Sequence, residues 1–342
     1  METSLPLFLA PMAGVTNTVF RSLCKELGAD VLTSEFVSAE GILHKNERTR
    51  RYLEFLPSER PLGVQLFGAN PEKLGDAARA VIDWVQPDFL DLNFGCPVNK
   101  VVSKNGGSSL LRDAPLLVRV ATAVVHAAGS TPVTAKIRIG WDARSINARE
   151  TACLLADCGI SRIAVHGRTK EQGYSGRADW DVIAEVAAAS PVPVVGNGDI
   201  TSAEEARQRV ATSGVQGLMI GRAAMSNPWI FSQIKAANLG IPIPAPSPSE
   251  RWNLIRRHCV NEVEWRGDEE VAMRAMRARL MAYVRGMPGG SRLRERLART
   301  SKLSELDELA DDYLSPDGEK LSHKREGDTT GRISSLTQVH QI

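Results

Sequence analysis

Eight short apolar runs, each followed by a helix-compatible stretch, recur over about 230 residues, a count and length that predict a (β/α)8 TIM barrel. Two further observations shape the prediction. Most of the runs end in Gly, Pro, Asn or a charged residue, the punctuation that turns a buried strand into a loop. A proline-rich stretch at 241–250, Ile-Pro-Ile-Pro-Ala-Pro-Ser-Pro-Ser-Glu, then separates the alternating region from one that is helix-compatible throughout, which predicts a small all-helical C-terminal domain. A doubly wound open sheet would use fewer strands and a Gly-rich first turn, which the sequence lacks. The expected divisions are a barrel over 1–240, a linker over 241–250, a helical domain over 251–312 and a polar, apolar-poor tail over 315–342, expected to be disordered.

Taken in order, Leu7–Ala10 is the first strand and ends in Pro11-Met12-Ala13-Gly14. Thr16 opens a helix that Gly28 stops, and Asp30–Phe36 is the second strand. Residues 38–60 are polar and basic and read as a loop with one helical turn. Leu62–Phe67 is the third strand, after which Asn70 caps and Pro71 starts a helix through Trp84. Phe89–Leu92 is the fourth strand, breaking at Asn93 into a loop that sets Cys96 between Gly95 and Pro97. A helix from Asp113 to Ala128, a strand over Pro132–Ile139 and a helix over 145–158 closed by Gly159 follow. Arg162–Val165 ends in His166-Gly167-Arg168-Thr169, Trp180–Ala189 is helical, and Val192–Val195 ends in Gly196-Asn197-Gly198-Asp199. Thr201 and Glu204 have capping-box spacing, and Val215–Ile220 is the eighth strand, ending in Gly221-Arg222. Beyond the linker the helical pattern breaks at Gly267 and at Met287-Pro288-Gly289-Gly290, which predicts a bundle of three or four helices.

Composition excludes several classes. The chain has 342 residues, 43% hydrophobic and 24% charged, enough to bury a large core and a smaller one. Five cysteines without C-x-x-C spacing suggest neither a disulfide framework nor a zinc site. The start, Met-Glu-Thr-Ser, lacks the basic and apolar regions of a signal peptide, and no stretch reaches the roughly 18 apolar residues of a membrane span. A cytoplasmic location with no membrane association, no metal and no obligate protein partner is expected. Net charge is only +2, but residues 271–300 carry eight arginines against one acid while 301–318 are acidic, which predicts a basic face on the helical domain.

In a parallel barrel the carboxyl ends of all strands open on one face, where chemistry sits. Those ends supply Pro11, Met12 and Ala13, then Gln65, Asn93 with Cys96, Lys136 with Arg138, His166 with Arg168, Asn197-Gly198-Asp199, and Gly221-Arg222. A lone cysteine is by default a small buried hydrophobe, and a lone histidine a satisfied interior one. Lys136 resists that treatment, because a lysine alternating with Ala135 and Ile137 is costly to bury unpaired. Glycines at the ends of the last two strands let backbone N–H groups approach a phosphate, and Arg222 adds a bidentate cation, so a phosphorylated ligand or cofactor is expected there.

With those residues in hand, the chain resembles the tRNA-dihydrouridine synthases, and within them the bacterial B-type branch. The resemblance rests on Leu-Ala-Pro-Met-Ala-Gly-Val-Thr (9–16), Gly-Val-Gln-Leu-Phe-Gly (63–68), Leu-Asn-Phe-Gly-Cys-Pro (92–97) and Ala-Lys-Ile-Arg-Ile-Gly-Trp-Asp (135–142). It continues in Val-His-Gly-Arg-Thr (165–169), Gly-Asn-Gly-Asp-Ile (196–200) and Met-Ile-Gly-Arg-Ala-Ala (219–224), and covers about residues 5 to 300. It implies FMN as cofactor, NADPH as usual reductant, and reduction of the C5=C6 bond of a D-loop uridine in tRNA. Pro11, Met12 and Ala13 would lie along the isoalloxazine, Gln65 and Lys136 would hydrogen-bond its pyrimidine edge, and His166 would sit beside it. Asn197, Gly198, Asp199, Gly221 and Arg222 would hold the ribityl phosphate, and Cys96 would be the proton donor. For gripping tRNA, Arg277, Arg279 and Arg285 are candidates on the helical domain, with Lys100, Lys104, Arg138 and Arg168 nearer the pocket. Asn93 is expected to position the uracil or the flavin.

Two places depart from the family pattern. Met276-Arg277-Ala278-Arg279 replaces the usual Met-Arg-Lys-His, and Ser103-Lys104-Asn105-Gly106-Gly107-Ser108-Ser109 replaces a more usual Lys-Lys-Gly-Ala-Gly-Ser-Ala. Two other readings compete: a flavin barrel acting on a free pyrimidine, and a tRNA-binding protein that has lost catalysis. The arginine-rich helical region argues against the first. The presence of Cys96, Lys136 and the phosphate-loop residues argues against the second.

Overall fold

The computed structural model describes residues 5–44, 47–102, 105–241 and 245–315, with the backbone alone at 47–48 and 99–100. It divides into two compact units, Met1–Ala245 and Pro246–Ile342. The expected disorder of the tail falls on residues outside the described ones, apart from Ser315.

The strands of the first unit are β1 (Leu7–Leu9), β2 (Leu32–Thr33), β3 (Val37–Ser38), β4 (Leu62–Phe67), β5 (Phe89–Phe94), β6 (Val133–Arg138), β7 (Arg162–His166), β8 (Val194–Asn197) and β9 (Gly217–Ile220). They form one sheet in the order β1-β9-β8-β7-β6-β5-β4-β2, with β3 also on β4 and every pair parallel. The circle closes between β1 and the residues before β2: Leu9 N donates to Val31 O at 3.0 Å and Asp30 N to Leu7 O at 2.8 Å. Near-continuous burial of Leu7–Leu9, Leu62–Leu66 and Phe89–Phe94 is what helices on the outside and side chains within require of a parallel barrel.

The second stave departs from expectation. One strand over Asp30–Phe36 is replaced by two short ones, and Thr33 pairs Gly63 while Val37 pairs Leu66, so the stave holds one residue more than β4 over that span. This is a bulge. Ser34 Oγ takes the N–H of Gln65 at 3.1 Å, and Glu35 turns aside to accept from Gly14 N at 2.6 Å, holding the loop that follows β1. The polar 38–60 region folds as helices Ala39–Leu43 and Glu47–Leu53 and a 3-10 turn, more structure than a loop with one turn. β5 runs past Asn93 to Phe94, because Asn93 and Phe94 still pair with Lys136 and Ile137.

Helix starts follow their caps. Asn17, Asn70, Asp113 and Asp179 accept first-turn N–H groups through their side chains. The helix after β8 is capped by Ser202, which accepts from Glu205 N at 3.1 Å, one residue later than the Thr201–Glu204 pair expected; Thr201 instead donates to Glu205. Gly196 is required on β8, since a Cβ there would stand 2.5 Å from the Trp180 ring.

Among the described residues the second unit has four helices, Pro248–Arg266, Glu269–Tyr283, Gly290–Leu297 and Leu303–Leu314. Ser247 and Glu250 form a capping box, and Gly267 at φ 72° ends the first helix in the left-handed conformation that glycine adopts without a Cβ penalty. Ile255, Cys259, Met273, Met276 and Leu280 form its apolar interior. Arg279, expected on the basic face, is 5% exposed: its Nη1 lies 3.2 Å from His258 Nε2, and His258 Nδ1 lies 2.9 Å from the Tyr283 hydroxyl. Burial, with Arg279 and Arg257 nearby, holds the His258 pKa far down, so the neutral ring accepts from the arginine and donates to the tyrosine.

A buried ion pair anchors the first helix of the barrel. Arg21 and Glu59 are at most 1% exposed and 2.5 Å apart. The remaining Arg21 donors reach Thr16 O and Glu54 O at 2.8 Å, and Glu59 also accepts from Leu56 N and Thr18 Oγ1. Removing one partner strands a buried charge, so Glu59→Ala is expected to destabilise the barrel by about 3–5 kcal/mol in urea denaturation. Arg207→Ala, which breaks an exposed pair with Glu204, is expected to leave the midpoint unmoved.

Candidate active site

Strand register assembles the mouth of the barrel. Asn93 on β5 pairs with Lys136 on β6, Arg138 on β6 with His166 on β7, and His166 with Asn197 on β8. Gln65 comes from β4, the Pro11–Ala13 loop follows β1, and Gly221 and Arg222 follow β9. Below them the barrel is filled by Phe8, Ala10, Ala164, Val195 and Met219, with Met12 packed against this cluster.

One side of the mouth is a buried chain of amides ending at a thiol. Asn93 Oδ1 accepts from Gly95 N at 3.2 Å and Cys96 N at 2.9 Å, and Asn93 Nδ2 donates to Gln65 Oε1 at 2.8 Å. Gln65 Nε2 donates to Asp91 Oδ2 at 2.6 Å, and Thr134 Oγ1 donates to Asp91 Oδ1 at 2.5 Å. The Cys96 carbonyl is held from the other side by the backbone and hydroxyl of Ser108, at 3.1 and 2.8 Å. Gly107, at φ 60°, makes that approach possible, since a Cβ there would lie 2.8 Å from Cys96 O. Cys96 is only 7% exposed, and burial pushes its thiol pKa up against the opposing pull of the Val98 N–H, Arg138 and Lys136. The thiol is therefore neutral at pH 7.

The other side is cationic. Lys136 Nζ donates to Asn197 Oδ1 at 3.1 Å, and Asn197 Nδ2 to Met219 O at 2.7 Å. Burial and the neighbouring Arg138 lower Lys136 from 10.5 to about 8, with Asp91 and Cys96 opposing. Burial and the surrounding Lys136, Arg138, Arg168 and Arg222 keep His166 neutral. Gly198 and Asp199 both adopt positive φ, 134° and 49°, which turns the Asp199 carboxylate back to accept from Arg168 at 2.8 Å, Ala178 N at 2.7 Å and Arg222 at 3.1 Å. Burial opposes ionisation of Asp199, but these bonds outweigh it and hold its carboxyl below the usual value. Arg222 is half exposed and lies over the Tyr174 ring, 4.8 Å from its centroid. Nη1 of Arg168 is buried without a hydrogen-bond partner among the described residues.

Several expectations change on this geometry. Arg138 and Arg168 are 2% exposed, and their donors hold the carbonyls of Gly95, Thr169 and Gly173, and of Ser175 and Gly176. Burial and those bonds make them braces of the loops around the mouth. The carboxylate of Asp199, a residue expected at the phosphate, is taken up by Arg222, Arg168 and Ala178 N. Lys104 lies outside the described residues, and Lys100 is described by its backbone alone. Reading by sequence passed over Asp91, hidden inside an apolar run, and Tyr174, at the rim of the mouth; the charge at Asp91 among buried neighbours was the available signal. Among the described residues no His, Cys, Asp and Glu cluster could hold a metal, and no helix is long and apolar enough to cross a membrane. All five cysteines are free thiols. A neutral thiol on a fixed backbone, near enough to Arg138 and Lys136 to feel their charge, suits proton donation beside an anionic ligand.

The dihydrouridine synthase (Dus) family profile matches residues 8–316. A tRNA-dihydrouridine synthase B of Pseudomonas putida is 40% identical over 293 residues, covering 85% of this chain and 86% of the relative. A probable tRNA-dihydrouridine synthase of Mycobacterium tuberculosis is 36% identical over 322 residues, covering 91% and 82%. In fold, the barrel is similar to histamine dehydrogenase from Rhizobium sp. 4-9, with a TM-score of 0.54 at 14% identity over 74% of this chain and 48% of that one. It is also similar to the old yellow enzyme from Trypanosoma cruzi, with a TM-score of 0.50 at 12% identity over 71% and 90%.

The thiol geometry carries its own prediction. Because burial raises the Cys96 pKa above its ordinary 9.0, the iodoacetamide labelling rate of that peptide is expected to keep climbing with pH through 9 without levelling off, as followed by mass spectrometry. A plateau already reached near pH 7 would contradict the neutral thiol.

Proposed function

The chain belongs to the dihydrouridine synthase family, and from that premise we propose that it reduces the C5=C6 bond of a uridine in tRNA to 5,6-dihydrouridine, with FMN as its flavin and NADPH as reductant. One observation carries the reading: a neutral thiol, pinned through Asn93 and Ser108, stands in the same barrel mouth as Lys136 and the Asp199–Arg222 turn. The residues fit a phosphorylated flavin. The buried, unpartnered Nη1 of Arg168 and the half-exposed Arg222 supply positive donors near Gly221, whose backbone is partly exposed.

Pro11, Met12, Ala13, Gln65, Lys136 and His166 would hold the ring system, and Asn197, Gly198, Gly221 and Arg222 the phosphate, with Asp199 fixing Arg222. When bound, FMN supplies the hydride that C6 of the uracil receives. Cys96 Sγ gives the proton that C5 takes up, and its raised pKa keeps that proton available at neutral pH. Lys136 would supply positive charge to a bound flavin, and a neutral His166 would add hydrogen bonding without adding to the repulsion among the cations. Asn93 orients the Cys96 loop rather than reaching past it.

A uridine in folded tRNA has to be splayed out to enter such a mouth, and grip on the surrounding phosphates holds it there. We assign that grip to the exposed Arg285 and the partly exposed Arg277 of the helical unit, and Arg279 is left out because it is buried. The five free thiols and the substrate suit a cytoplasmic enzyme.

The deciding experiment supplies NADPH and tRNA lacking dihydrouridine, with the nucleoside read by mass spectrometry. Cys96→Ala is expected to retain flavin and its reduction by NADPH but to lose uridine reduction by about 10²–10⁴-fold. Unchanged turnover on tRNA would remove Cys96 from the mechanism. Lys136 is charged below about pH 8 and neutral above it, so FMN affinity of the apoprotein is expected to weaken as pH rises through 8, by up to about tenfold per unit. Lys136→Met should flatten that dependence in a fluorescence titration.

A further inference from the structure

We propose that Asp91 is a positioning residue: its carboxyl group sets the donor–acceptor direction of the buried Gln65 and Asn93 amides, and through them holds the Cys96 backbone and its thiol in place. Only the catalytic consequence rests on the proposed role of Cys96.

The direction of the chain is over-determined. Backbone N–H groups only donate, so Asn93 must turn Oδ1 toward Gly95 N and Cys96 N, leaving Nδ2 to donate. Nδ2 then requires an acceptor, which Gln65 Oε1 supplies at 2.8 Å, and this turns Gln65 Nε2 toward Asp91 Oδ2 at 2.6 Å. A carboxyl oxygen is the acceptor that end of the chain needs. Thr134 completes the arrangement on the far oxygen, with Leu90 O 3.3 Å from its own hydroxyl. Gln65 is 0% exposed, Asp91 5% and Asn93 7%, so no member can exchange a lost partner for solvent.

Take the acceptor away and Gln65 Nε2 is left unpaired in the interior. Its amide then turns to find another acceptor, and Asn93 loses the oxygen that fixes it. Leucine at 91 fills a similar volume and accepts nothing. Asparagine can turn Oδ1 to Gln65 and Nδ2 to Thr134, so it preserves the direction of the chain without any charge.

The test compares Asp91→Leu and Asp91→Asn in the full-length purified protein. Iodoacetamide labelling of Cys96, read peptide by peptide at pH 8, is expected to quicken about fivefold or more in Asp91→Leu and to stay within about twofold of the parent in Asp91→Asn. With tRNA, Asp91→Leu should lower kcat and leave KM unchanged, and Asp91→Asn should restore kcat. If Asp91→Leu does not fold, Gln65→Met cuts the same chain one link along and should quicken labelling equally. Labelling at the parent rate in the leucine or methionine variant overturns the proposal, as does an asparagine variant that labels as fast as the leucine one. If Cys96→Ala still turns over tRNA while Asp91→Leu quickens labelling, the positioning stands and the catalytic assignment of Cys96 falls.

Discussion

A parallel sheet that closes on itself has no free edge, and all of its strands must carry their carboxyl ends to one side. In this protein the closing contacts are backbone bonds between β1 and the residues just before β2, joining Leu9 to Val31 and Asp30 to Leu7. Once these exist, residues more than 200 positions apart in sequence, such as Met12 and Gly221, stand at the same rim, with Met12 Sδ 3.5 Å from where a Gly221 Cβ would be. Register then sets depth. Asn93 pairs with Lys136 and Lys136 with Ala164, while one step nearer the carboxyl ends Arg138 pairs with His166 and His166 with Asn197.

Within that frame, charge is sorted by burial. Carboxyl groups placed low or behind the loops, Asp91 and Asp199, serve as acceptors for other side chains and do not face a ligand with an open carboxylate. Cations gather at the opening, and burial, with crowding among them, keeps His166 neutral and brings Lys136 to about 8. The same desolvation that lowers the lysine's pKa raises the thiol's, so one low-dielectric mouth prepares both a tunable cation and a proton donor. Arg138, and Arg168 through every donor but its unpartnered Nη1, tie loop carbonyls and Asp199 together, which gives the mouth its shape.

The helical unit follows a related rule on a smaller scale. Its arginine-rich segment supplies both surface charge and an interior anchor, because Arg279 finds neutral acceptors in a buried His258 linked to Tyr283. Arg277 stays nearer the surface, bonded to the carbonyls of Thr300 and Arg299. Sequence proximity alone does not separate these two residues, since both lie on the same helix two positions apart.

Alternation of apolar runs with helical stretches determined the barrel, and the Gly/Pro/Asn punctuation after most runs marked where strands give way to loops, because those signals are local and depend only on chain stereochemistry. Cys96, Lys136, His166 and Arg222 were legible for the same reason: each follows or interrupts an apolar run at a place a barrel turns to its mouth. What tertiary structure alone decided was partnership. The bulge that frees Glu35, the burial of Arg138, Arg168 and Arg279, the turning of Asp199 toward two arginines, and the chain from Asp91 to Cys96 all join residues distant in sequence. A side chain's charge is written in the sequence, but whether it meets solvent, a ligand or a buried acceptor depends on which strand the fold sets beside it.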